Sequence, residues 1–229
     1  MKIIILSNGP GLPEIVSLYG HSSEWIPNSI NEKNIQYSIV KTYENLSFDY
    51  SDADAFIITG SKYSVYDDYK WIENLVDYVS KLIDANKSVL GICFGHQLVA
   101  KCLGAEVKKN PLGWELGSYQ ISLSDKGIDH PLFSGINEGD IVYESHQDVV
   151  CNMAEGMTSL AFTDKANQSF SFRENIFGVQ FHPEFSWDVT KKLMDLRIKN
   201  GVKVDSDELK LSINSHKILD NFISIIKEN

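Results

Sequence analysis

The stretch Val89-Leu-Gly-Ile-Cys-Phe-Gly-His-Gln-Leu98 decides how this chain is read. An apolar run of strand character ends in Gly91-x-Cys93-x-Gly95 and passes at once into a run of helical character. That is the pattern of a nucleophile elbow with cysteine in the place of serine. The flanking glycines have a physical reason. A sharp strand-to-helix turn leaves no room for side chains beside the nucleophile, whose own backbone is often strained. The turn holds the sulfur above the sheet edge and at a helix N-terminus, where the dipole favours thiolate over thiol. Such a cysteine is suited to attack carbonyl carbon.

An elbow needs a base. Far downstream, Phe177-Gly-Val-Gln-Phe181 reads as a strand running into His182-Pro183-Glu184. On an extended chain, residues two apart face the same side, so His182 and Glu184 present imidazole and carboxylate together. Pro183 between them restricts the backbone. Cysteine, histidine and glutamate complete a set of nucleophile, general acid/base and a carboxylate that fixes the imidazole tautomer.

Gly-Ile-Cys-Phe-Gly-His-Gln at 91–97, His-Pro-Glu at 182–184 and Thr59-Gly60-Ser61 together resemble the class I, triad-type glutamine amidotransferases, in order and approximate spacing as well as in motif. The resemblance runs from about Ile3 to Glu184. It implies a flavodoxin-like α/β fold: a mostly parallel central sheet flanked by helices, with a small antiparallel sheet. It also implies that Cys93 attacks the side-chain amide carbon of glutamine, that the backbone N–H groups of Gly60 and Phe94 form the oxyanion hole, and that Gln97 contacts the bound amino acid. Ser145 and Gln147 are weaker candidates for the same pocket. His182 would protonate the departing ammonia and then activate water against the glutamyl thioester. Glu184 keeps His182 oriented. Such a triad needs no cofactor.

Composition agrees. A chain of 229 residues suits one α/β domain, with a core over about 1–185 and a helical extension over about 186–229. A formal charge of −10 argues against nucleic acid as a partner. No window reaches the length needed to span a bilayer. Lys2-Ile-Ile-Ile-Leu6 stops at Ser7-Asn8-Gly9-Pro10, so it reads as a first strand and not a signal peptide. Cys93, Cys102 and Cys151 are odd in number and lack framework spacing, which suits a reducing compartment, with the cytoplasm as default.

Buried strands are expected at Ile3–Leu6, Tyr37–Val40, Ala55–Ile58 and Ser88–Ile92. Trp71, Ile72, Leu75, Val76, Val79, Leu82 and Ile83 fall at helical spacing and predict a helix over Tyr69–Ala85, with Asp67-Asp68 at its start. A helix over about His96–Leu103 follows the elbow. Shorter strands are expected at Tyr119–Leu123, Ile141–Tyr143, Ser159–Phe162, Ser169–Arg173 and Ile176–Phe181. A hairpin turn at Arg173–Ile176 would use Asn175, which tolerates left-handed geometry. The tail reads as helices over Trp187–Asn200 and Asp207–Glu228, fit to close a sheet face, to form a lid or to meet another subunit; packing on the chain's own core is the commoner outcome.

Other marked residues have plainer readings. Cys102 and Cys151 read as small buried hydrophobes. His96 is either a second base or, by its place on the outgoing helix, a structural hydrogen-bonder. The role of His146 is left open. His21, His130 and His216 look like loop histidines, and none has metal-ligand spacing. Gly9-Pro-Gly11 lacks the remainder of a dinucleotide fingerprint. Trp114 and Glu115 either approach substrate or pack a loop.

Three functions remain. The first is glutamine hydrolysis, alone or with a separate synthetase subunit that accepts ammonia, because the tail after Glu184 is too short for a synthetase domain. The Thr59–Trp71 stretch and the tail look most like the stand-alone branch, which includes proteins similar to the amidotransferase domain of GMP synthase and the γ-glutamyl peptidases of plants. The second function is therefore cleavage of γ-glutamyl conjugates by the same triad. The third is a silent regulatory module on the same fold.

Overall fold

The computed structural model describes residues 1–44, 52–206 and 208–228. Its strands are β1 (Lys2–Ser7), β2 (Gln36–Lys41), β3 (Ala55–Ile58), β4 (Ser88–Ile92), β5 (Glu106–Lys109), β6 (Glu115–Gln120), β7 (Ser122–Leu123), β8 (Ile141–His146), β9 (Asp148–Asn152), β10 (Met157–Phe162), β11 (Asn167–Phe172) and β12 (Ile176–Val179). Its helices are α1 (Pro13–Tyr19), α2 (Ser22–Ser29), α3 (Lys70–Asp84), α4 (Phe94–Cys102), α5 (Asp125–Ile128), α6 (Trp187–Lys199) and α7 (Lys217–Glu228).

Eight strands form one sheet in the order β2-β1-β3-β4-β12-β11-β10-β7. The run from β2 to β12 is parallel, and β12-β11-β10-β7 is antiparallel. Strands of a parallel sheet are covered on both faces and so read as unbroken apolar runs. Ile3-Ile-Ile-Leu6 and Ala55-Phe-Ile-Ile58 are such runs, and all of these residues are buried. Alternate side chains enter opposite cores. Ile3, Ile5, Ile57 and Ile92 meet α2 and α7, while Ile4, Leu6, Phe56 and Ile58 meet α3 and α4. Two further antiparallel pairs, β5 with β9 and β6 with β8, stand apart from the main sheet. No helix among the described residues is long and apolar enough to cross a membrane.

The mostly parallel sheet, the flanking helices and the small antiparallel sheets agree with the sequence reading, and the principal strands and α3 fall within a residue or two of their expected bounds. Several details differ. The elbow helix begins at Phe94 instead of His96, because Cys93 itself is its N-cap. Tyr119–Leu123 is split between β6 and β7. In the β11–β12 hairpin the left-handed residue is Arg173 (φ 55°), while Asn175 donates from its side chain to the carbonyls of Asn86 and Lys87. Asp67 precedes α3 and accepts from the Ser64 N–H at 2.9 Å.

The tail differs most. The second tail helix starts at Lys217; Asp207 lies outside the described residues, and 208–216 form an irregular strap. The strap has better partners than its own carbonyls. Lys210 N–H donates to Ser118 Oγ, Ser212 N–H to Tyr143 Oη, and Ser212 Oγ to the Ile141 carbonyl at 2.6 Å. Ile213, within the span expected to be helical, is 67% exposed. Beyond it, α7 closes one sheet face with Ile218, Leu219, Phe222 and Ile223.

Close approach explains two glycines. A Cβ on Gly95 would lie 2.2 Å from the Ile58 carbonyl oxygen, and one on Gly91 would lie 2.3 Å from the Gly95 carbonyl oxygen. Both obstacles are backbone and cannot rotate away. Gly95→Ala is therefore expected to destabilise the protein by about 3 kcal/mol, read as a lower urea midpoint at unchanged slope. Phe222→Ala is expected to cost about 3–5 kcal/mol with no change in sedimentation; a change of assembly at constant stability would instead make α7 a subunit contact.

Candidate active site

The site lies at the carboxyl ends of the parallel strands, where open α/β sheets form their crevices. Strand β4 pairs with β12 in register Ile92↔Val179, and the Cys93 N–H continues the ladder to the Val179 carbonyl at 2.9 Å. Both chains therefore leave the sheet side by side. One turns sharply at Cys93 into α4; the other runs on through Gln180 and Phe181 to His182.

Cys93 has φ 53° and ψ −104°, a conformation that costs a non-glycine residue about 1–3 kcal/mol. Its carbonyl accepts from Gln97 N–H at 3.1 Å, closing the first turn of α4. As the first residue of α4, Phe94 has an N–H with no acceptor within the helix. The sulfur belongs to a buried residue only 4% exposed.

His182 Nδ1 and Glu184 Oε1 are 2.8 Å apart, both residues being buried. The His182 N–H donates to the Tyr143 carbonyl at 2.9 Å, and the imidazole stacks on Phe185 with centroids 3.8 Å apart and planes 12° from parallel. The ring is thus fixed by backbone, carboxylate and neighbour. Burial by itself would lower the pKa of His182. The charge of Glu184, and the charge and hydrogen bond of Cys93, outweigh it and raise the pKa well above the ordinary value. Gly60, at the end of β3, touches both partners: a Cβ there would lie 2.9 Å from His182 Cε1 and 3.5 Å from Cys93 Cβ.

Two compartments adjoin at this point. The thiol compartment is bounded by Cys93, Phe94, Gln97, Trp114, Ser145 and Gln147, with Arg197 at its rim. The side-chain N–H groups of Gln97 are committed to the Asp148 carbonyl (2.8 Å) and Gln180 Oε1 (3.0 Å), which leaves its side-chain oxygen as the group that can accept. The second compartment is lined by Gly60, His182 and Glu184 and extends toward α1, α2 and α6. Glu115 enters neither. It is fully buried and accepts from Thr163 Oγ1 and Gln168 Nε2, so of the pair Trp114-Glu115 only Trp114 reaches the cavity.

Other readings resolve as packing. His96 is fully buried against Phe170, and desolvation lowers its pKa to about 3, which leaves it neutral and unsuited to act as a base. Cys102 is part-buried, its pKa raised by burial to about 11. His21 caps α2 and holds the Gly9 carbonyl at 2.9 Å.

The sequence reading missed three features. Arg197, on α6, borders both compartments, and nothing in a polar helix face marked it out. Asp148 clasps the loop after β3, accepting from Tyr66 Oη at 2.9 Å and from Ser64 Oγ. Behind Ser145 lies a buried trio in which His146 Nε2 stands 3.1 Å from Glu144 and 3.3 Å from Glu115. Period-two alternation through Glu144-Ser-His146 was the signal available for the trio.

Comparison with known proteins assigns the family. The sequence profile of the family described as glutamine amidotransferase class-I matches residues 14–197. A protein of Schizosaccharomyces pombe named glutamine amidotransferase-like is 30% identical over 91% of this chain and 88% of its own length. Gamma-glutamyl peptidase 5 of Arabidopsis thaliana is 32% identical over 67% of this chain, and the match spans 62% of that protein. A subunit of the glutamine-hydrolyzing GMP synthase of Sulfurisphaera tokodaii is 38% identical over 58% of this chain and 68% of its own length. The crystal structure of a glutamine amidotransferase from Thermotoga maritima superposes with a TM-score of 0.75 at 20% identity, covering 99% of this chain and 96% of that one. The chain belongs to the class I glutamine amidotransferase family.

Proposed function

We propose that this protein hydrolyses the γ-amide of a glutamyl group, glutamine in the simplest case, through a thioester on Cys93. The observation that carries the reading is the convergence of a strained, buried Cys93 with an imidazole locked 2.8 Å from the Glu184 carboxylate. Cys93 sulfur bonds to the amide carbon, and the carbonyl oxygen takes the negative charge toward the N–H groups of Phe94 and Gly60. Preorganised donors of that kind supply much of the rate enhancement of acyl transfer. As the C–N bond breaks, the proton on His182 passes to the leaving nitrogen. Water then adds to the thioester and gives its proton back to His182, and glutamate leaves with the sulfur restored. Ser145, Gln147 and the scaffold of Gln97 shape the acyl pocket.

A second reading has its own support. The second compartment gives a substituent on the leaving nitrogen somewhere to go, which favours a γ-glutamyl peptide over glutamine, and several relatives are named gamma-glutamyl peptidases. A separate synthetase subunit receiving ammonia is the alternative arrangement, suggested by the relative named as one subunit of GMP synthase. The three cysteines, all free, suit the cytoplasm.

Cys93→Ser is expected to lower kcat by about 10⁴-fold or more, assayed as glutamate release; retained turnover would place the nucleophile elsewhere, and no turnover in the unaltered protein would leave the chain a binding module on this fold. Glu184→Gln should cost about 10²–10⁴-fold and also move the alkaline limb of kcat/KM to lower pH. The sign follows from the carboxylate, whose charge helps to hold the proton on His182. Without it the general acid deprotonates earlier as pH rises. An unmoved limb would assign the titration to another group.

A further inference from the structure

Apolar side chains dominate the far wall of the second compartment: Leu12, Ile15, Val16, Trp25, Phe185 and Leu193. The wall is continuous with the site, since Phe185 stacks on His182 and Trp25 meets Phe185 edge-on with centroids 5.8 Å apart. Among the described residues lining the compartment, Glu184 is the one carboxylate, and it is paired with His182. Cations stand at the neck shared with the thiol compartment: Lys62 and Arg197 line both, in a chain of formal charge −10. Arg197 lies over the Trp114 ring at 5.0 Å, and its Nε is buried without a hydrogen-bond partner. A guanidinium lining a cavity is suited to a carboxylate, whose two oxygens match its planar fork of donors.

The direction of the chemistry says which half of a substrate enters here. Cys93 lines the thiol compartment and His182 the second one. The acyl group must sit with the sulfur, and the nitrogen must leave toward the acid that protonates it. Ammonia would use none of the apolar wall. We propose that this compartment is a leaving-group subsite, and that the substrate is a γ-glutamyl amide of an apolar amino acid. The side chain of that amino acid packs on Trp25, Phe185 and Leu193, and its carboxylate is held by Arg197. The inference rests on the thioester hydrolysis proposed above. In that reaction the C–N bond breaks, the nitrogen takes its proton from His182, and the free amino acid departs before water enters.

The test compares kcat/KM of the whole protein for γ-glutamylphenylalanine, γ-glutamylphenethylamine and glutamine. A preference of about 10–100-fold for γ-glutamylphenylalanine over glutamine is expected, the range a hydrophobic pocket supplies. Leu12→Glu, which puts a charge into the wall, should narrow that preference at least about tenfold. Arg197→Ala should narrow the preference for γ-glutamylphenylalanine over its decarboxylated analogue, γ-glutamylphenethylamine, by about tenfold. Glutamine turned over as well as the peptide would overturn the subsite. An equal loss on all three substrates in Arg197→Ala would overturn the arginine's role and give it the α-carboxylate of the acyl half. If no substrate is cleaved, the hydrolytic reading fails on its own, and calorimetry on Cys93→Ala still decides the subsite. Binding of γ-glutamylphenylalanine about tenfold tighter than glutamine supports it, and equal binding overturns it.

Discussion

Everything at the candidate site depends on the parallel pairing of β4 with β12. These strands are far apart in sequence, yet register Ile92↔Val179 places the ends of both at one sheet edge. A slip of one residue would turn Ile92 and Val179 away from their shared core and rotate the residues beyond each strand to the opposite face. Core and site are therefore specified by the same alternation. Burial of Leu90, Ile92, Phe177 and Val179 sets the register, and the register delivers Cys93 and His182 to each other. The glycines finish the approach, since α4 rests its first turn directly on the backbone of β3 through Gly95.

Around that junction, charges are buried in unequal settings. Desolvation raises the pKa of Glu144 to about 7, while His146 is raised to about 10 because the carboxylates of Glu115 and Glu144 outweigh the cost of burying its charge. The imidazole stands between two carboxylates that both favour its protonated form. The consequence is positional. Glu115 and His146 are register partners of β6 and β8, so the trio ties the strand that carries Ser145 to the one that Trp114 immediately precedes. On the other side, Asp148 holds the loop after β3. The thiol compartment is bounded by loops, but those loops are anchored to strand ends.

This division explains what was legible in the sequence. The central strands were, because parallel strands covered on both faces are apolar throughout, as in Ile3–Leu6 and Ala55–Ile58; β2, expected to be buried, is the edge strand, with Ile39 43% exposed. The elbow was, because glycine on both sides of Cys93 answers contacts that no other residue allows. The short helices α1 and α2 were not: seven and eight residues carry little periodicity, and α2 is capped by a histidine and interrupted by Pro27. The strap at 208–216 was misread because Leu209 and Ile213, four residues apart, fall at helical spacing ahead of the apolar face of α7. Hydrogen bonds to Ser118, Tyr143 and Ile141, which only tertiary structure supplies, outweighed that local pattern. Arg197 could not have been found by pattern, since its significance lies in what its helix packs against.

The two kinds of information also fall on different parts of the molecule. The residues proposed for the chemistry occupy the ends of β3, β4 and β12, where backbone geometry leaves little freedom. The residues proposed to choose the leaving group lie on the loop before α1, on α2 and on α6, which meet around Ile15, Val189 and Leu193 in a small core of their own. Apart from Phe185, which stacks on His182, this satellite core lies outside the two main cores that hold the sheet and can be repacked without displacing the ends of β4 and β12. On the proposed reading, the amine accepted can therefore change through α1, α2 and α6 while the residues at the ends of β3, β4 and β12 stay fixed.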